Sequence, residues 1–164
     1  MKRPPVALAA LGAFLIFLWL AWPVTVLQVG VERLGSVFFP VREGSVVELE
    51  WIHSVSAIPV REVFEVAGGE LWLEETHNPW FAAGLGEISG RGRTVAEGDH
   101  AVAIVDIHER AEEMVLRIGN PEIHHTIRVA GRQCDLSRLA PHRRAVLAVL
   151  TLPRIYVLRG VRCE

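Results

Sequence analysis

Beyond residue 23 the chain consists of short apolar runs separated by glycine, proline and acidic breaks, and none of these runs keeps a helical period. The runs at 24–32, 36–42, 45–53, 58–67, 70–77, 101–108, 113–118, 123–130, 145–151 and 154–159 predict strands. So many short strands joined by tight turns predict a mainly β domain, a single antiparallel sandwich or a partly open barrel. One helical turn is expected at Leu136–Leu139, capped by Asp135 and stopped by Pro141. The late run AVLAVLTLP is too short to span a bilayer and reads as a buried strand.

The start of the chain is different. Lys2 and Arg3 precede an uncharged apolar stretch, residues 6 to 22, and the next charge is Glu32. About 17 residues at 1.5 Å each reach roughly 26 Å, near the lower limit for a spanning helix. The pattern predicts a membrane anchor or signal-anchor over residues 1–23 and an exported β domain over 24–164. Trp19 and Trp22 are placed as interfacial residues. A cleaved signal peptide is the competing reading, but the stretch ends in bulky Leu18-Trp19-Leu20-Ala21-Trp22-Pro23 instead of a small-residue cleavage site. The basic start orients the N-terminus to the inside of a bacterial cytoplasmic membrane and the domain to its periplasmic or outer side, with the lipid bilayer as first partner.

With 164 residues, 51% of them hydrophobic, the chain can bury one good core and not comfortably two. Its net charge of −2 hides an asymmetry: residues 32–113 carry 16 acidic and 6 basic groups, residues 114–164 carry 3 and 9. Either the two halves face each other within one domain, or a basic surface including Arg143 and Arg144 turns toward lipid headgroups or a membrane partner. No nucleic-acid partner is expected, because interleaved aromatics and net positive charge are both missing. Cys134 and Cys163 could pair in an exported domain, and the sequence leaves that open.

The chemistry-bearing residues are those that break the alternation. In an extended 45–53 run, His53 shares a face with Val47, Leu49 and Trp51, and in 58–67 Glu62 shares one with Val60, Phe64 and Val66. Gly68-Gly69 signals a two-residue hairpin turn. An unbroken register from that turn sets Phe64 opposite Leu73, Glu62 opposite Glu75 and Val60 opposite His77. His53, Glu62, Glu75 and His77 would then converge at one end of an apolar face, as a wet rim, as a binding pocket, or as a site for zinc or manganese. The glycine-dense stretch Asn78–His100, with Gly84 and Gly86, would roof such a pocket or simply connect two strands.

Catalysis is not expected. Adjacent strand residues diverge, so His53 and Ser54 make a poor base and nucleophile, and neither GxSxG nor HExxH occurs. Ser54 fits better as a hydrogen-bonding residue that shapes the turn. His125, sharing a face with Ile123 and Ile127, reads as a core histidine. No cofactor motif is present.

At WIHSV, with Glu62 nine residues beyond His53 and FAAGLG further on, the chain resembles a bacterial family catalogued as domain of unknown function 1850. Trp51, His53, Ser54, Val55, Glu62, Gly84 and Gly86 carry the resemblance over residues 26 to 150. The chain departs from it at Ser56 and Ala57, where Glu-Lys often follows, and at Leu85, where alanine is usual. The resemblance implies an extracytoplasmic accessory of TAXI-type TRAP transporters, partnering a transporter membrane subunit or a solute-binding protein and acting by binding. The rival class is a small metal-dependent or hydrolytic extracytoplasmic enzyme.

Overall fold

The computed structural model of the chain describes residues 6–78, 92–97, 101–111 and 114–163. Helix α1 (Val6–Ala21) leads through Trp22 alone into strand β1 (Pro23–Val31). There follow β2 (Gly35–Pro40), β3 (Val46–Ile52), β4 (Pro59–Ala67), β5 (Glu70–Asn78), β6 (Arg93–Glu97), β7 (Ala101–Val105), β8 (Glu109–Arg110), β9 (Met114–Arg117), β10 (Thr126–Val129) and β11 (Arg132–Asp135). Helix α2 (Leu136–Leu139), β12 (Arg144–Pro153) and α3 (Arg154–Val157) complete the order.

The strands form two antiparallel sheets that are not closed into a barrel. The smaller runs β2-β1-β12-β9. The larger runs β11-β10-β3-β4-β5-β7-β6, with β8 on β5. Alternation builds the shared core. Leu27, Val29 and Val31 of β1, Ala145 and Leu147 of β12, Val47 and Leu49 of β3, Phe64 and Val66 of β4, and Ile127 and Val129 of β10 join one buried cluster. The helical turn expected after Asp135 forms, with the Asp135 carboxylate accepting from the Arg138 N–H at 3.0 Å.

Several elements differ from the sequence pattern. Residues 154–159 do not form a strand. Pro153 ends β12, and the Arg154 N–H donates to the Trp22 carbonyl at 3.0 Å, so the chain turns helically against the foot of α1. Strand β10 begins at Thr126, because a 3-10 turn at Pro121–Ile123 and a left-handed His124 (φ 51°) occupy the residues before it. Strands β6 and β11 lie where no apolar run announced them. β12 is only partly buried: Ala145 and Leu147 face the core while Val146 and Leu150 remain exposed.

Cys134 and Cys163 form a disulfide that ties the C-terminal segment to β11. Helix α1 has 16 residues, about 24 Å at 1.5 Å each. Among the described residues, no helix is long and apolar enough to cross a membrane.

Candidate functional site

Gly68 and Gly69 both take positive φ, 60° and 78°, and the β4–β5 ladder leaves them as the glycine pair predicts: Ala67 with Glu70, Val66 with Leu71, Phe64 with Leu73. The register then slips by one. Val63 pairs with Glu75, Glu62 with Thr76 and Arg61 with His77, so Glu74 is an extra residue. The expected Glu62–Glu75 and Val60–His77 pairs are not made. An unbroken strand would have set Glu75 and His77 beside Leu71 and Leu73, two ionisable groups on an apolar face. The bulge sends them to the other face and gives the inner positions to Thr76 and Asn78. Glu74 itself pairs with His108, Oε1 to Nδ1 at 2.9 Å, and His108 stacks on Trp72.

The four residues expected to converge are therefore divided. Glu62 keeps the parity of Val60 and Phe64 and is half-buried. Glu75 and His77 bond to each other across 2.8 Å on the opposite face. His53 closes the β3–β4 turn: its N–H donates to the Ile58 carbonyl, its carbonyl accepts from Ala57, and Nδ1 meets Ser56 Oγ at 3.0 Å. The hydroxyl that shapes this turn belongs to Ser56, whereas Ser54 is exposed. Gly84 and Gly86 lie outside the described residues.

On the face of the larger sheet turned away from the core lies a cavity of about 600 Å³. Glu50 and Ile52 of β3, Pro59 and Arg61 of β4, His77 of β5, and Thr126 and Arg128 of β10 line it, joined by Trp51, Val60, Asn78 and His124. The ladder sets Glu50 opposite both Arg61 and Thr126, and Glu48 opposite Arg128. Charges therefore alternate across three neighbouring strands. Arg128 Nη1 is ion-paired with Glu50 Oε2, and Arg61 Nη1 lies 3.7 Å from Glu48 Oε1. The hydrogen bond that Arg128 donates to Glu50 raises its pKa above the ordinary arginine value, against a smaller opposing effect of burial.

Behind the cavity, Trp51 stacks on His125 at 6.0 Å with 23° between the rings. His125 is 8% exposed and accepts the Gly119 N–H at Nδ1, 3.0 Å, so the neutral ring carries its proton on Nε2. Burial lowers its pKa, and Asp135 opposes the shift. Its backbone N–H donates to Ser137 Oγ and its carbonyl accepts from Leu136. His125 is thus a satisfied structural residue that backs the Trp51 wall.

Residues 47–136 match the family described as a domain of unknown function (DUF1850). The chain belongs to that family. No curated protein and no solved structure matches it. Every named cavity residue of the DUF1850 domain falls within the matched segment, whereas α1, β1, β2, β12 and α3 fall outside it.

Sequence reasoning missed Glu48, Glu50, Arg61, Arg128, Thr126 and His124 as site residues of this DUF1850 domain, because charges at alternate strand positions read as a solvated face. The available signal was Glu48 and Glu50 at spacing two in one segment, with the single cations Arg61 and Arg128 in two others. Among the described residues no three His, Cys, Asp or Glu side chains are grouped to hold a metal ion. Ser56 and His53 approach as a nucleophile and base would, yet the Ser56 N–H points at the same Nδ1. Among the described residues no carboxylate pairs with the other ring nitrogen to orient it. The cavity offers guanidinium and imidazole groups beside Trp51.

Proposed function

We propose that this DUF1850 protein is a membrane-anchored extracytoplasmic accessory protein that acts by binding, using the Trp51–Arg61–His77–Arg128 cavity. The observation that carries the reading is that cavity, with Trp51 and polar groups set on four adjacent strands. Export is supported by the Cys134–Cys163 disulfide, since such bonds persist in oxidising compartments. Anchoring is supported by α1, where Leu8, Leu11, Phe14, Leu15, Ile16 and Phe17 are all more than half exposed. The partner class follows from the family resemblance: a TRAP transporter membrane subunit or its solute-binding protein.

The test is uptake in cells lacking the gene. Loss of solute uptake with the transporter still made, restored by the wild-type chain but not by Trp51→Ala/Arg128→Ala, is the expected result. Unaffected uptake together with hydrolytic turnover by the purified protein would replace this reading with the enzyme one. A phosphatase fused after Glu164 should be active, and an inactive fusion would overturn the topology.

A further inference from the structure

The C-terminal segment is held in place at three points. Arg154 donates its N–H to the Trp22 carbonyl, and its guanidinium lies over the Trp19 ring at 4.4 Å. Farther on, the Val161 N–H donates to the Ser36 carbonyl at 2.8 Å, and Gly160 sits so close to Phe38 that a Cβ there would be 2.6 Å from the ring. Cys163 is bonded to Cys134. A terminal segment left to itself frays. Fastened in this way it nevertheless exposes Tyr156 by 56% and Leu158 by 60%, next to Trp22 at 63%.

We propose that this segment is a bilayer-contacting collar: Tyr156, Leu158 and Trp22 enter the membrane interface while Arg154 and Arg159 take the phosphates of anionic phospholipids. The proposal rests on the anchored reading above and deepens it. Only Trp22 separates α1 from β1, and β1 pairs with β12 from its first residue, Pro23 with Pro153. An inserted α1 therefore leaves no linker to lift α3 off the surface. Tyrosine and tryptophan suit that layer because each has an apolar body and a polar tip. Among the described residues neither Arg154 nor Arg159 is ion-paired to a carboxylate; Arg154 is held on the Trp19 ring, and stacking on a ring still leaves guanidinium N–H groups for phosphate. Arg144, at the far end of β12, is about 30 Å away along the strand, and Arg143 beside it donates to the Glu32 carbonyl. The lipid-facing cations are thus not the pair that stands out in sequence.

Tyr156 is the only tyrosine of the chain, so 3-fluorotyrosine labels the collar without a substitution. In nanodiscs of phosphatidylglycerol and phosphatidylcholine carrying a headgroup nitroxide, the fluorine resonance of the full chain should broaden severalfold. The broadening should increase with the phosphatidylglycerol fraction, and Arg159→Gln should weaken that dependence, with Arg154→Gln/Arg159→Gln weakening it further. A fluorotryptophan label at Trp19 reports insertion of α1 separately. A broadened Trp19 label with an unaffected tyrosine would overturn the collar and leave the anchor standing. Unaffected labels at both positions would overturn both. Tyrosine broadening that ignores phosphatidylglycerol and both arginine variants would overturn the headgroup assignment.

Discussion

Glu62 stands across from Thr76 on β5, one position away from Glu75, because Glu74 is an extra residue in the strand. Deleting Glu74 removes the extra residue and lets Val63–Glu75, Glu62–Thr76 and Arg61–His77 continue the ladder unbroken, with Glu75 and His77 still on the outer face. The deletion should therefore cost little more than Glu74→Ala, which keeps the bulge and removes only the partly exposed His108 pair, at a cost under about 1 kcal/mol. Urea unfolding of the two variants checks this, and a loss several kcal/mol larger for the deletion would show that the bulge itself holds β5 in place.

His125 should make stability fall as the solution is acidified. Its folded pKa lies below the ordinary 6.5, so the unfolded chain takes up a proton that the folded one refuses. The contribution is complete above about pH 6.5 and is lost as the pH drops from there through the depressed folded value. His125→Asn retains an acceptor for Gly119 but loses the Trp51 stack. It should cost about 1–2 kcal/mol at neutral pH and flatten the dependence between about pH 7 and about pH 5. Melting temperatures across that range decide it; an unchanged slope in the variant would exonerate His125.

Arg128 and Glu50 are each more than a third exposed in their side chains, so their coupling is screened despite close contact. A double-mutant cycle with Arg128→Gln and Glu50→Gln should give about 1 kcal/mol or less, shrinking at high salt. A coupling of several kcal/mol that ignores salt would mean that the pair is far drier than its exposure indicates.

Reduction should loosen the collar as well as the fold. The Cys134–Cys163 bond closes a loop with a sequence separation of 29, for which chain entropy gives about 3–4 kcal/mol. Cys134→Ser/Cys163→Ser should lower stability by that order and increase amide exchange over residues 154–163 before it does so in β3 or β4. Uniform exchange throughout would show that the tail is held mainly by its other contacts.

The alternation of apolar residues in the sequence determined most of the strands, the Gly68-Gly69 hairpin, the Asp135-capped turn and the assignment of His125 to the core. These depend on neighbours a few residues apart, and local periodicity or turn chemistry is enough to reveal them. The β5 bulge is not local: glutamate at 74 and glutamate at 75 look alike, and it is the cost of turning ionisable groups such as His77 toward the core that favours an extra residue there. The turn of residues 154–157 into α3 was likewise set by docking on Trp19 and Trp22, which are 132 or more positions earlier in the chain. Arg128 lies 78 residues from Glu50, and only the β10–β3 ladder made their opposite charges neighbours and, with Arg61 and His77, a cavity.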